Sequence, residues 1–341
     1  MAPAPRRRRD GATPQGAPAV NRRPGVSAGM LALVGRTPCV ELQRLVPGNG
    51  CRILVKLESA NPGLSVKDRA ALQIIIEAER SGRLQGGGTV IERTSGNMGT
   101  GLALVCRQRG YRLIVVMSAG NSVERRQMIG AFGARVVVVP QVTGTPGQVT
   151  GADLKRVEEE TEALAARIGA FRADQFRNEA SVRAHERGTG PELWRQAGGR
   201  VDVFVSVVGS SGTFTGVARF LKRRRPEIRC LVVEPRNAAL LAGRCRIPGK
   251  HKLQGLGYLE VPPLFDRSLA DGFMTVTDTV AMRTARRLAR DEGILAGFTS
   301  GANVAAALAV ARRTTRPLTI ATVICDNGLK YLSTGLFPDP A

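Results

Sequence analysis

Lys67 stands where a short polar loop turns into an apolar helix, within Asn61-Pro62-Gly63-Leu64-Ser65-Val66-Lys67-Asp68-Arg69. Pro62 and Gly63 end a strand-like run over 53–57, Ser65 suits a helix N-cap, and 70–78 reads as a largely buried helix. The spacing therefore puts Lys67 in the first helical turn. A cation is disfavoured at the positive end of a helix dipole, so the neutral, nucleophilic amine is favoured there.

Three other loops offer polar groups at expected helix starts. Gly209-Ser210-Ser211-Gly212-Thr213 follows an apolar strand and opens a helix, so its amides and hydroxyls can converge on an anion. It has no Walker A lysine, which argues against a nucleoside triphosphate. A dinucleotide fingerprint competes, because Glu234 ends the next strand where a ribose-binding acid would sit. Its glycines at 209, 212 and 216 are nevertheless not spaced as G-x-G-x-x-G. Thr94-Ser95-Gly96-Asn97-Met98-Gly99 offers two hydroxyls and an amide that can hold a carboxylate; alternatively, Thr94 or Ser95 simply caps a helix. Thr299 and Ser300 supply hydroxyls at the head of an Ala-rich helix, where they read as an N-cap.

The elements that must position these loops alternate. Strand-like runs at 89–92, 112–117, 135–139, 201–208, 229–233 and 318–324 are separated by amphipathic helical patterns. Continuous β-branched runs indicate strands covered on both faces, hence mostly parallel sheets in an α/β fold of two lobes with a cleft between them. With 341 residues the chain is long enough for both. No apolar run approaches the ~20 residues that span a bilayer. Only His185 and His251 are histidines, which excludes a multi-histidine metal site; the six cysteines form no CxxC pair and fit reduced thiols in the cytoplasm. The net charge of +22 comes from arginines spread along the chain without interleaved aromatics, so no specific nucleic-acid module is expected. Residues 1–28, with Arg6 to Arg9 and much Pro, Ala and Gly, read as a disordered basic tail.

Taken together, the four loops resemble the fold-type II pyridoxal-phosphate enzymes, and among them the cysteine synthase (O-acetylserine sulfhydrylase) and cystathionine β-synthase family. The resemblance runs nearly the full length. It includes Gly35-Arg36-Thr37-Pro38, Ser122 to Arg126, Gln175-Phe176, Thr189 to Glu192, Asp291 to Ile294 and Lys330 to Thr334. It implies a tryptophan-synthase-β-like fold, with 61–170 as the smaller lobe and 29–60 plus 171–335 as the larger. It implies pyridoxal 5'-phosphate bound covalently to Lys67, its ring hydroxyl on Asn97, its phosphate cradled by Gly209, Ser210, Ser211, Gly212 and Thr213, and its pyridine nitrogen facing Thr299. Thr94, Ser95, Asn97, Met98 and Gln175 would contact the substrate, and no metal is implied. The implied activity is β-replacement through an aminoacrylate, with Lys67 as general acid and base, giving L-cysteine from O-acetyl-L-serine and sulfide. A homodimer and association with serine acetyltransferase belong to the same expectation. The chain departs from the family pattern at Ser210-Ser211, at Met98 where a threonine is usual, in Asn178 to Ser181, and at Lys330, which replaces an arginine. Met98 removes a hydroxyl from the loop and opens alternatives in donor or acceptor.

Overall fold

A computed structural model describes residues 27–144, 149–245, 249–257 and 260–337. The expected basic tail lies outside these residues apart from 27 and 28, as do 145–147 of the Gly/Thr/Pro-rich stretch. Along the chain the first elements are β1 (Cys39–Glu41), β2 (Arg52–Leu57), α1 (Lys67–Arg80), β3 (Thr89–Arg93), α2 (Asn97–Arg109), β4 (Arg112–Ser118), α3 (Val123–Ala131) and β5 (Arg135–Val139). There follow α4 (Gly151–Ile168), β6 (Phe171–Arg172), α5 (Ala180–Ala184), α6 (Gly190–Gln196), β7 (Val203–Val207), α7 (Gly212–Arg224), β8 (Arg229–Pro235), β9 (Gly272–Val276), α8 (Asp278–Glu292), α9 (Phe298–Arg313) and β10 (Thr319–Ile324).

The strands form two sheets, one ordered β1-β2-β10-β7-β8-β9 and the other β5-β4-β3-β6. All pairings are parallel except β1 with β2, a short edge strand. Strands such as β7 and β10 are buried along their whole length, as their unbroken apolar character requires when helices cover both faces. The larger sheet carries α8 and α9 in one core and α6 and α7 in the other. The smaller sheet packs α1, α2 and α3 on one face and α4 on the other. Phe171 and Arg172, expected in the larger lobe, pair with Val90 and Ile91 in the smaller sheet.

Several helix starts differ from expectation. The cap residue of α1 is Val66, and Ser65 instead accepts a weak hydrogen bond from the Lys67 amide at 3.3 Å. At α2 the cap position belongs to Gly96, at φ 137°, a conformation that excludes side-chain-bearing residues; neither Thr94 nor Ser95 caps the helix. The helix α9 begins at Phe298, so Thr299 and Ser300 lie inside its first turn.

Where β2 leaves the larger sheet and α1 enters the smaller one, a buried ion cluster holds the crossing. Arg69 of α1 donates to Glu58 at 2.6 and 2.8 Å and to Glu192 of α6 at two contacts of 2.7 Å. Lys56 of β2 pairs with the same Glu192 at 2.8 Å and donates to the Thr37 carbonyl at 2.6 Å. The guanidinium holds the Glu192 carboxyl at about 2, below the usual carboxylate range despite its burial.

Candidate active site

Both sheets point the ends of their strands at one cleft, where the four loops converge. Lys67, Thr94, Ser95, Asn97, Met98, Gln175, Gly209, Ser210, Ser211, Thr213 and Thr299 line a single cavity, joined by Cys325 and Gln254. Thr94, Ser95, Gln175 and Gln254 also line a wider chamber of about 310 Å³ toward the mouth. The structure thus brings together every expected site residue except Gly212, whose role is the backbone of the first turn of α7.

Lys67 is the first residue of α1. Burial lowers its pKa, while the Cys325 thiol and Asp326 act in the opposite direction. No hydrogen bond or ion pair is found for its amine among the described residues, so a buried primary amine faces the cavity uncommitted.

The phosphate-cup loop presents backbone donors. Ser211 adopts the left-handed conformation, at φ 74°, and precedes α7. No partner is found among the described residues for the amides of Gly209, Ser210, Ser211 and Gly212, and the end of the helix adds its positive dipole. A Cβ on Gly209 would lie 2.5 Å from the Gly255 carbonyl, so only glycine allows this close approach. The hydroxyls are less free than the sequence implies. Thr215 donates to the Leu264 carbonyl at 2.8 Å, so in its 3.0 Å contact with Ser211 the Ser211 hydroxyl is the donor. That proton is spent inside the protein. The Thr213 hydroxyl contacts His185 Nε2 at 3.3 Å, and His185 Nδ1 contacts Thr189 at 2.9 Å. Burial and the cations Arg69 and Lys67 keep this ring neutral.

Asn97 is clamped at both ends of its amide. Its Nδ2 donates to Asp326 at 2.7 Å, and its Oδ1 accepts from Lys330 Nζ at 2.9 Å. Lys330 also donates to the Gly63 carbonyl at 2.8 Å, and Tyr331 donates to Asp326 at 2.6 Å. Arg125 joins the substrate loop to this set through the Ser95 carbonyl at 2.6 Å and the Tyr331 hydroxyl at 2.7 Å. Sequence reasoning named Arg125 and Tyr331 only as parts of longer runs and Lys330, beyond its run, only as a replacement for an arginine, and it missed Asp326 and Cys325 as site residues. No local signal marks a residue whose partner is more than two hundred positions away.

Met98 lines the cavity from within the core of the smaller lobe. It is 1% exposed and belongs to the small-lobe core with Leu102, Val115 and Ile129, so it touches the cavity only as floor. Thr94 turns its hydroxyl toward its own loop and accepts from the Gly96 amide at 3.0 Å. Ser95 is the hydroxyl left facing both chambers.

Four non-glycine residues have positive φ among the described residues: Arg36, Leu64, Asp174 and Ser211. Three of them flank the site, at the Lys67 turn, before Gln175 and in the phosphate cup. Each such conformation costs on the order of 1–3 kcal/mol and persists where surrounding structure enforces it.

The dinucleotide alternative loses its acid here. The Glu234 carboxylate accepts from the Leu241 and Ala242 amides, both at 2.8 Å, and serves to fold the following loop. Among the described residues, a lysine amine without a partner, a set of unpartnered amides at a helix start for a dianion, and the Asn97 amide, of whose two N–H groups one is donated to Asp326, instead fit pyridoxal phosphate. Fold and site together define a fold-type II pyridoxal-phosphate enzyme.

The comparisons agree. Residues 30–326 match the family described as pyridoxal-phosphate dependent enzyme, and the chain belongs to it. It is 43% identical over 309 residues to O-ureido-L-serine synthase of Streptomyces lavendulae, covering 90% of this chain and 92% of that one. It is 44% identical over 308 residues to cysteine synthase 3 of Caenorhabditis elegans, covering 90% and 88%. The crystal structure of cysteine synthase from Entamoeba histolytica superposes with a TM-score of 0.84 at 33% identity, covering 96% of each chain.

Proposed function

We propose that this chain is a cysteine synthase, replacing the acetoxy group of O-acetyl-L-serine by sulfide to form L-cysteine. The observation that carries the reading is the uncommitted Lys67 amine facing a cavity built from a phosphate cup on one lobe and a Thr94–Asn97 loop on the other. Bound pyridoxal phosphate supplies an electron sink that makes the α-proton of an amino acid labile and lets a β-substituent leave. Lys67 Nζ holds the cofactor and, once released from it, carries the α-proton. The amides of Gly209 to Gly212 and the Thr213 hydroxyl bind the phosphate. Asn97, fixed by Asp326 and Lys330, presents its remaining N–H to the ring hydroxyl. Thr299, a neutral hydroxyl in the first turn of α9 that lines the cavity, would hold the pyridine nitrogen without supplying the negative charge that protonates it, which would suit elimination of a good leaving group. Ser95, Gln175 and loop amides orient the substrate carboxylate.

The reading extends to a cytoplasmic homodimer that associates with serine acetyltransferase. The same chemistry with another acceptor is the competing assignment, supported by the similarity to O-ureido-L-serine synthase and by the mouth chamber. Assaying O-acetyl-L-serine, O-phospho-L-serine and L-serine against sulfide and larger nucleophiles decides it. A kcat/KM for O-acetyl-L-serine with sulfide at least tenfold above every other pair is expected; a tenfold preference for another acceptor overturns the cysteine synthase assignment.

A further inference from the structure

We infer that Glu92 works as a neutral acid that sets which end of the Gln175 side-chain amide faces the cleft, and so how the substrate carboxylate is received. This rests on the proposed function in one respect, that Gln175 meets that carboxylate.

Glu92 lies in β3, two residues before the substrate loop, and is 2% exposed. Its Oε1 is 3.2 Å from Gln175 Nε2 and 3.5 Å from the Gln175 backbone amide, while the buried Oε2 has no partner. Among the described residues no cation pairs with it directly. Arg93, its neighbour in β3, pairs with Glu158 of α4 at 3.1 Å; Arg172 of β6 pairs with Glu158 at 2.6 Å and Glu162 at 3.2 Å. Asp174, in the turn after β6, adds a like charge. A buried carboxylate with an empty oxygen and no counter-ion is expensive, so the acid takes up a proton. Burial, reinforced by Asp174 and opposed by Arg172 and Arg93, raises its pKa to about 8.

A protonated carboxyl is a donor, and the Gln175 amide is the side chain within reach. With its Nε2 directed at Glu92 Oε1 and, at 3.5 Å, at the Arg93 carbonyl, the amide turns its oxygen toward the cleft. That orientation matches an ionised Glu92 and repels a substrate carboxylate. Rotating the amide end for end lets Oε1 accept the Glu92 O–H and offers Nε2 to the substrate. The two ends are nearly equal in size, and the rotation exchanges the 3.5 Å contact to the Arg93 carbonyl, already at the limit of a hydrogen bond, for a weak oxygen–oxygen repulsion that the Glu92 O–H bond must outweigh. Protonated Glu92 therefore favours substrate binding, and ionisation reverses it.

The test is spectroscopic titration of the cofactor-loaded enzyme with L-alanine, which has the carboxylate but no leaving group. Wild type and Glu92→Gln are compared from pH 6.5 to 9.5. A glutamine at 92 donates permanently, so its Kd should stay within about threefold of wild type at pH 7. The ratio of wild-type to variant Kd should rise about tenfold per pH unit above about 8, since other titrations common to both cancel. Glu92→Leu, which cannot donate, should bind L-alanine at least tenfold more weakly than wild type at pH 7, and Gln175→Ala should abolish the ratio in either background. A ratio independent of pH, or a tenfold weakening by Glu92→Gln at pH 7, overturns the inference. If Glu92→Gln does not fold, infrared spectra of the wild type decide: the carbonyl band of a buried carboxylic acid is expected at pH 7 and lost above about 8, and its absence at pH 7 overturns the inference. Failure of the β-replacement reading would instead appear as no acetate release from O-acetyl-L-serine, leaving the L-alanine titration informative.

Discussion

Replacing Glu192 by alanine tests whether the buried ion cluster at the β2 to α1 crossing holds the fold around Lys67. Glu192 serves Arg69 through two hydrogen bonds, Lys56 through an ion pair, and the Arg36 amide at 3.0 Å. Its carboxyl is depressed from 4.5 to about 2, which corresponds to about 3 kcal/mol of stability. That stability is fully present above pH 4.5 and is lost as pH falls through about 2, because the folded state then takes up a proton that the unfolded state already holds. Removing the carboxylate also leaves Lys56, which is fully buried, without its counter-ion, and breaking a buried pair from one side costs about 3–5 kcal/mol. The two routes agree, and about 3–4 kcal/mol is expected at pH 7. For a chain of 341 residues that lowers Tm by roughly 4–6 °C. Calorimetry of the cofactor-free protein measures it, with scans at pH 7 and pH 3: the gap between wild type and Glu192→Ala should narrow at the lower pH. A loss under 2 °C at pH 7, or a gap that does not change with pH, would refute the reasoning and mean that desolvation cancels the attraction.

Lys67→Ala should abolish both β-replacement and the yellow absorbance of the loaded enzyme; an adduct reducible by borohydride in that variant would sink the assignment of this lysine. Thr213→Ala should weaken cofactor affinity about tenfold, the scale of a lost charge-assisted hydrogen bond of roughly 1.5–3 kcal/mol. Ser211→Ala should change affinity less than threefold, because its hydroxyl donates to Thr215 and the phosphate is met by its amide; equilibrium dialysis with pyridoxal phosphate compares the two. Met98→Thr should cost about 2 kcal/mol in urea unfolding, from lost packing and a buried hydroxyl, without improving kcat/KM for O-acetyl-L-serine. A tenfold gain in kcat/KM would restore Met98 to the substrate wall.

The parts of this molecule that were legible in its sequence are those written by near neighbours. The strands β4, β5 and β10 announce themselves as β-branched runs, and the phosphate cup as glycines and hydroxyls between a strand and a helix. Helix starts were less legible, since Ser65, Thr94 and Ser95 each have the chemistry of a cap, but the chain at those points is bent to serve the cavity. The depth at which Met98 meets the cavity was illegible for a related reason. Position in a motif fixes the path of the backbone, whereas the rotation of α2 decides which side chains face the cleft, and that rotation is set by packing against Ile129 and Val115. The clamp on Asn97 was not legible at all.

That clamp has a consequence for how the enzyme is made. Asn97 lies 229 residues before Asp326 and 233 before Lys330. At a synthesis rate of about 5–20 residues per second, the substrate loop waits roughly 10–50 s on the ribosome before either partner exists. The smaller sheet and its helices can pack in that interval, since its strand pairs and cores close within residues 70–180. An early-folded lobe without residues 326–331 has a loop whose asparagine amide is free to point either way. Nascent chains should therefore gain native cofactor binding only near the end of synthesis, and a truncation before Asp326 should leave a folded smaller lobe that cannot hold the cofactor in register.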